Sequence, residues 1–238
     1  MITYFYSNQI FNDKIILHEE EAHHAIKVLR KNIGDEIIVV DGNGGYYKTT
    51  IVNNDINNCK LSIKEYETEH GKSDHYIHIA IVPPKSHDRS EWFIEKAVEI
   101  GINEISFIQS QYSERNNIKL DRIRKRMISS MKQSLKAYLP KLNDIIQFDE
   151  FINNNDNTYK YLGYLGSQPP TLLQNIAIPS SDYCVLIGPE GDFSEIEAKI
   201  AQDRNFINIS LGKSRLRTET AGMAACHILN IINSNDYK

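Results

Sequence analysis

The chain of 238 residues predicts an α/β protein built on a mostly parallel sheet, preceded by a small β-rich domain. Three observations carry this expectation. Beyond residue 74, apolar strand-like runs alternate with segments whose apolar residues recur every three or four positions. Before residue 68, the chain reads as short strands and turns. Between the two, the polar stretch from Glu67 to Asp74 has the composition of a linker. The predicted domains are therefore residues 1–70 and 74–238. Strands alternating with helices imply a sheet covered by helices on both faces.

In chain order, a short helix is expected at 20–30 and a strand at 37–40. Asp41-Gly42-Asn43-Gly44-Gly45 is a strong turn signal, and 46–52 resumes a strand pattern, so a hairpin is the natural reading. Residues 76–82 form the next strand. A helix follows at 88–100, with Phe93, Ala97 and Ile100 on one face. After a strand at 105–108, Leu120, Ile123, Met127, Met131, Leu135 and Tyr138 mark a longer helix that Pro140 ends. Further strands are expected at 159–165, 183–187 and 206–209, and further helices at 194–201 and 219–232.

With 41% hydrophobic and 24% charged residues, the composition is that of a folded, soluble protein. The net charge of −4 means that any nucleic-acid contact must come from a local patch. Cys59, Cys184 and Cys226 are too widely spaced for a CxxC site and odd in number, which suits a reducing compartment. No secretory signal and no run long enough to span a membrane is read, so a cytoplasmic location without a membrane partner is expected. His23 and His24 are adjacent rather than four apart, and with no other ligand cluster no metal is expected.

The common nucleotide-binding signals, GxGxxG after the first strand and GxxxxGK[ST], are missing. Two later corners occupy the place where an open α/β sheet binds ligands, at the carboxyl ends of strands. The first runs Ile187-Gly188-Pro189-Glu190-Gly191-Asp192-Phe193-Ser194, with Ser194 as helix cap and Glu197 as its capping-box partner. It is either a tight strand-to-helix turn or a loop whose backbone approaches a ligand. The second runs from Ser210 through Leu211, Gly212, Leu216 and Arg217 to Thr220 and opens a helix rich in small residues. There Thr218 and Glu219 suit helix capping and the helix dipole as well as ligand chemistry, and Arg217 suits a surface charge as well as a polar substrate.

Nine Lys or Arg residues and only one acid, Asp121, lie between Arg115 and Lys141. Taken singly, each is a solvated helix position; as a group, Arg115, Arg122, Arg124, Lys125, Arg126, Lys132 and Lys136 are candidates for phosphate contact. Trp92 reads as a packing residue rather than a stacking platform.

Together these residues resemble the bacterial 16S ribosomal RNA uridine-N3 methyltransferase family, within the knotted SPOUT methyltransferases. The resemblance runs nearly end to end. It covers His23-His24 with Val28-Leu29-Arg30, Asp41-Gly42 with Gly44, Lys85 and Arg89 with Lys96, Glu99 and Gly101, and Ser113-Glu114-Arg115. Its most specific parts are Gly188-Pro189-Glu190-Gly191 with Phe193-Ser194 and Leu211-Gly212 with Leu216-Arg217-Thr218-Glu219-Thr220-Ala221. Asp192 departs from the family, standing where a second glycine is usual, and is expected to make the loop less free to adopt positive φ. Ser214-Arg215 also departs, replacing the usual Arg-Ile.

The resemblance implies a PUA-like β-barrel followed by an α/β domain with a C-terminal trefoil knot, a homodimer, and S-adenosyl-L-methionine as methyl donor. It implies N3 methylation of one uridine of 16S rRNA in the small ribosomal subunit, and no DNA partner. The implied cofactor residues are Leu165, Gly166, Ser167, Ile187, Gly188, Pro189, Glu190, Gly191, Ser210, Leu211, Gly212 and Leu216. The implied RNA contacts are His24, Arg30, Lys85, Arg89, Arg115, Arg122, Arg126, Lys132 and Lys136. Arg217 is the candidate to stabilise negative charge on the uracil, and Glu219 either orients Arg217 or the base or caps the helix. Two alternatives stand beside this reading: a related SPOUT enzyme acting on another RNA or a ribose hydroxyl, and a ribosome assembly factor with a vestigial cofactor site.

Overall fold

The computed structural model describes residues 2–166 and 170–234. The chain divides into two compact units, Met1–Lys72 with Ile128–Leu139, and Ser73–Met127 with Pro140–Lys238. No helix among the described residues is long and apolar enough to cross a membrane.

The first unit contains β1 (Tyr4–Tyr6), β2 (Ile10–Phe11), β3 (Lys14–Leu17), α1 (Glu19–His23), β4 (Glu36–Val40), β5 (Tyr46–Asn53) and β6 (Cys59–Glu67). They form one sheet in the order β1-β4-β5-β6-β3-β2, antiparallel except for β1 against β4. Alternation along the strands turns Ile15, Leu17, Ile37, Val39, Ile51 and Leu61 into a core completed by Phe5, Ala22 and Ala25. The helix expected over 20–30 is only partly α: α1 passes into a π-helical turn, His24–Val28, with the Leu29 amide bonded to the His24 carbonyl. Over five residues an apolar pattern does not distinguish the two windings.

The expected β4–β5 hairpin forms, with Val40 opposite Tyr46. The Asp41 carboxylate closes the turn by accepting the amides of Asn43 at 2.7 Å and Gly45 at 2.8 Å. Residues 137–139 lie on this turn, held by Gly44 N–H to the Ala137 carbonyl and Leu139 N–H to the Gly42 carbonyl. They can meet it because the helix expected to run through Tyr138 ends early.

That helix is α3 (Leu120–Gln133), which ends before Tyr138 and is closed locally rather than by Pro140. Leu135 adopts φ 55°, and the Lys136 amide bonds back to the Met131 carbonyl, the closure of a Schellman motif. Helical spacing of Leu135 and Tyr138 is therefore a coincidence of pattern, and Tyr138 instead packs at the hairpin turn.

The second unit contains β7 (Tyr76–Ile81), α2 (His87–Ile100), β8 (Glu104–Gln109), β9 (Lys141–Leu142), β10 (Ile146–Gln147), α4 (Phe148–Asn154) and β11 (Tyr159–Gly163). It continues with β12 (Thr171–Leu172), α5 (Leu173–Ile176), β13 (Asp182–Ile187), α6 (Glu195–Asp203), β14 (Ile207–Ser210) and α7 (Thr218–Asn233). Every pairing is parallel, in the order β10-β8-β7-β13-β11-β14-β12, with β9 also beside β8. β7, β8 and β13 are buried almost throughout, as strands of a sheet covered on both faces must be.

Residues that alternate along the strands separate two cores. Ala80, Leu162, Cys184 and Leu186 pack with Phe148, Phe151, Phe193, Ala198 and Ala201 of the α4 and α6 regions. Ile81 belongs to the other face, where Gly222 of α7 admits a close approach: a Cβ there would lie 2.7 Å from the Phe93 ring of α2 and 3.1 Å from Ile81. This is why the last helix carries small residues. The order is also not sequential, since β13 enters between β7 and β11. It brings Gly163 level with Ile187 on one side and Ile209 on the other, so the loops after β11, β13 and β14 leave the sheet together.

The hairpin turn supplies the first test. Gly44 has φ 90°, and a Cβ on it would stand 2.3 Å from the Tyr138 hydroxyl. Gly44→Ala is expected to lower stability by about 1–3 kcal/mol, combining left-handed strain with displacement of Tyr138, read as a reduced thermal midpoint.

Candidate functional site

Three loops gathered at the carboxyl ends of β11, β13 and β14 enclose a cavity of about 350 Å³. Its walls are residues 163–165, 187–190, 192, 209–212, 214–218 and 221. This is the edge where an open parallel sheet presents backbone groups to a ligand, and the volume is that of a small-molecule pocket.

The loops are tied to one another by specific bonds. Thr218, the first residue of α7, donates its hydroxyl to the Gly188 carbonyl at 3.1 Å and is itself buried. Ser194 caps α6 through the expected capping box: its hydroxyl accepts the Glu197 amide, and the Glu197 carboxylate accepts the Ser194 amide at 2.9 Å. The second Glu197 oxygen accepts the Gln111 amide at 2.7 Å, anchoring the segment after β8. In the third loop, the Ser210 hydroxyl folds the chain by bonding both the amide and carbonyl of Gly212.

Asp192 departs from the sequence expectation. It adopts φ 67° despite carrying a side chain. Aspartate tolerates this region because its carboxylate bonds locally, here accepting the Phe193 amide at 2.8 Å. The other carboxylate oxygen accepts the Leu165 amide at 3.0 Å, so Asp192 clips the first loop to the second, which a glycine cannot do.

A second cavity, of about 510 Å³, adjoins the first. It is lined by Asp88, Arg89, Trp92, Arg215, Leu216, Arg217, Glu219 and Thr220. Arg215, Leu216 and Arg217 face both cavities. Arg217 is exposed and makes no ion pair among the described residues. Glu219 is buried; its Oε1 lies 3.6 Å from the Arg89 guanidinium, which also stands 3.8 Å from Glu190.

Of the expected cofactor residues, Leu165, Ile187, Gly188, Pro189, Glu190, Ser210, Leu211, Gly212 and Leu216 line the first cavity. Gly166 and Gly191 lie in its loops without lining it, and Ser167 is outside the described residues. Gly163, Tyr164, Ile209 and Thr218 line it without having been singled out as binding residues. Trp92, expected to pack, is 40% exposed at the second cavity. Its spacing from Arg89, one helical turn, was the available signal.

The expected RNA contacts are less uniform. Lys85 pairs with Glu114 at 2.5 Å, which raises the lysine above its ordinary value. Arg122 and Arg126 both bind the buried Glu91 of α2, Arg126 at 3.2 Å. Arg115 is half-buried, with Nη1 unpartnered among the described residues. In the first unit, Lys132 pairs with Glu21, and His24 packs beside Phe5 with ring centroids 5.7 Å apart. Arg30 takes φ 56° where the π turn ends. Lys136 lies one residue beyond the helix-ending Leu135. Part of the basic run therefore serves helix-to-helix ion pairing.

A third cavity, about 870 Å³, opens at the opposite, amino ends of β7, β8 and β13. Its floor is a polar network: His78 bonds Ser106 at 2.8 Å and Asn157 at 3.3 Å, while Glu104 accepts from Tyr76 at 2.7 Å and Asn143 at 2.6 Å and pairs with Lys141 at 2.8 Å. Burial lowers the His78 value. Burial alone would raise Glu104, but His78, Lys141, Asn143 and Tyr76 hold it below the ordinary value. The satisfied bonds and the position away from the carboxyl ends mark this network as structural.

The fold and the clustered loops define a class, the knotted SPOUT methyltransferases that act on RNA. Residues 72–230 match the family model of the RNA methyltransferase domain, and residues 17–63 that of the RNA methyltransferase PUA domain. The chain belongs to the ribosomal RNA small subunit methyltransferase E family. It is 30% identical to the ribosomal RNA small subunit methyltransferase E of Mesomycoplasma hyopneumoniae, over 92% of this chain and 95% of that protein. A solved structure of a probable rRNA-methyltransferase from Porphyromonas gingivalis is 36% identical, with TM-score 0.92, covering 98% of this chain and 99% of the other. That of ribosomal RNA small subunit methyltransferase E from Neisseria gonorrhoeae, bound to S-adenosyl methionine, is 25% identical with TM-score 0.85, covering 98% of both chains.

Two measurements follow from these geometries. Asp192→Ala loses both carboxylate bonds and keeps an unfavourable φ, so it should destabilise by about 2 kcal/mol, and Asp192→Gly by less because only the bonds are lost. Thermal unfolding of the pair separates the clip from the strain.

The polar network sets a pH dependence. His78 and Glu104 bind protons less readily folded than unfolded, so the unfolded chain protonates first as pH falls. Their contribution is complete above the ordinary His value of 6.5, declines below it, and declines again below the ordinary Glu value of 4.5. His78→Gln should flatten the upper step, seen as a smaller fall in thermal midpoint between about pH 7 and 5.

Proposed function

We propose that the protein transfers the methyl group of S-adenosylmethionine to N3 of one uridine of 16S rRNA in the small ribosomal subunit. The observation that carries this reading is the pair of adjoining cavities sharing Arg215, Leu216 and Arg217, one for the donor and one for the acceptor. The name and bound ligand of the Neisseria gonorrhoeae relative support the choice of substrate and donor.

The first cavity suits an adenosine-bearing ligand. Ile187, Ile209, Leu211, Leu216 and Ala221 supply apolar walls, and Gly188, Gly212 and their neighbours supply backbone donors and acceptors. S-adenosylmethionine brings an activated methyl group on a sulfonium sulfur. The chain's task is alignment and charge: to hold donor and acceptor in line, and to favour the deprotonated N3. Arg217, exposed at the boundary of the cavities, is placed to stabilise the negative charge that then spreads over the uracil carbonyl oxygens. The Lys85 and Arg115 region and the basic residues of α3 serve the phosphate backbone, sharing their charge with Glu91 and Glu114 until RNA competes for it.

A homodimer is carried over from the family resemblance, and sedimentation of the purified protein at twice the chain mass tests it. A ribosomal substrate supports a cytoplasmic location.

Purified protein, labelled S-adenosylmethionine and unmodified small subunits should yield N3-methyluridine at one 16S rRNA position, mapped by digestion and mass spectrometry. Failure of transfer with cofactor and subunit binding intact would overturn the enzymatic reading. In the same assay, Arg217→Ala should lower kcat by about 10²–10³-fold while calorimetric binding of S-adenosylmethionine is retained. Near-normal turnover would remove Arg217 from the chemistry.

A further inference from the structure

Glu219 is the second residue of α7 and is only 6% exposed. Its Oε1 faces Arg89, but its Oε2 is buried with no hydrogen-bond partner among the described residues. An acceptor oxygen left in this state is destabilising, so it calls for a donor. Helix capping does not supply one, because the cap position, Arg217, makes no side-chain bond and Glu219 bonds no amide of α7. Glu219 instead lines the second cavity, together with Trp92, Arg89 and Arg217.

These walls describe the chemistry of their ligand. The indole of Trp92, the chain's single tryptophan, offers a flat apolar surface for a planar ring. An unpartnered carboxylate oxygen asks for an N–H donor. Arg217 asks for an oxygen that becomes negative. A ring with an N–H flanked by carbonyl groups, as in uracil, meets all three demands.

We infer that Glu219 is the proton acceptor for N3 of the target uridine, with Arg89 as its positioning residue and Trp92 as the stacking wall. The inference rests on the N3-methylation reading and deepens it. The N3–H bond breaks with its proton passing to the Glu219 carboxylate, and the electron pair left on N3 forms the bond to the methyl carbon. The carbon–sulfur bond breaks with its pair remaining on sulfur. The protonated Glu219 returns its proton to solvent after product leaves. Arg89 fixes the rotation of the carboxylate through the other oxygen.

The test uses the full-length protein with small subunits, in single turnover, across a pH series. Glu219→Gln should bind S-adenosylmethionine by calorimetry and subunits by filter binding as the parent does, yet transfer methyl about 10²-fold or more slowly at neutral pH. Its deficit should shrink as pH rises, because the uracil imide ionises unaided in alkaline solution. A deficit of the same factor at every pH, or a near-normal neutral rate, overturns the assignment. Arg89→Met supplies an independent reading if Glu219→Gln fails to fold: loss of the positioning contact should slow transfer about 10-fold with S-adenosylmethionine and subunit binding retained, and Arg89→Lys should recover part of the rate; an unchanged rate in Arg89→Met, or no recovery in Arg89→Lys, overturns the assignment. The product of the parent enzyme separates the two levels of inference. N3-methyluridine with a pH-independent Glu219→Gln deficit sinks only the role of Glu219, whereas a different methylated nucleoside sinks the reading beneath it.

Discussion

The second unit depends on the double pairing of β13. This strand is bonded along its length to β7 on one side and β11 on the other, and β11 in turn to β14. Because every pairing is parallel, the registers align the strands' carboxyl ends, and Gly163, Ile187 and Ile209 come side by side. Loops separated by tens of residues in sequence must then share one small volume. Parallel pairing thus builds the cavity before any side chain contributes to it.

Side chains then fix what the sheet has gathered. The Thr218 hydroxyl fastens the start of α7 to Gly188, and the Asp192 carboxylate fastens Leu165 to the turn that follows Gly188. Both bonds link a residue of one loop to the backbone of another, so each loop's shape depends on its neighbours. Such mutual restraint suits a site that must hold a ligand in line with a second molecule. The shared wall of Arg215, Leu216 and Arg217 results from the same crowding, since the third loop runs between the two cavities. Behind it, Gly222 lets α7 approach Phe93 and Ile81 closely. That contact places the start of α7, and hence Glu219, against the Arg89 end of α2.

Charge is distributed by the same economy of position. The run of bases from Arg115 to Lys141 reads as one patch in sequence, yet Arg122 and Arg126 converge on Glu91 while Lys132 serves Glu21. The buried carboxylate of Glu91 is stabilised by two guanidiniums at once, a geometry that planar arginine provides and lysine does not. The polar network under His78 shows the complementary rule at the amino ends of the strands. There nearly every donor meets an acceptor within the protein, whereas at the carboxyl ends Arg217 and one oxygen of Glu219 have no partner among the described residues.

The sequence by itself determined the order of elements and the identity of the loops. Alternating and three-to-four spacing locate β4, β5, β7, β8, α2 and α7 to within a residue or two, because each buries one face and burial leaves a periodic trace. The glycine-rich corners and the capping box at Ser194 were legible for the same local reason. Tertiary structure decided the rest. The end of α3 at Gln133 depends on Leu135 turning left-handed so that residues 137–139 can meet the hairpin, a contact with no periodic signature. The positive φ of Asp192 depends on a Leu165 amide 27 positions away. The pairing of Arg89 with Glu219, and the exposure of Trp92 beside them, depend on two helices far apart in sequence being pressed onto one face of the sheet. Local pattern records which side of an element is buried; only the packed chain decides which residues from different elements meet.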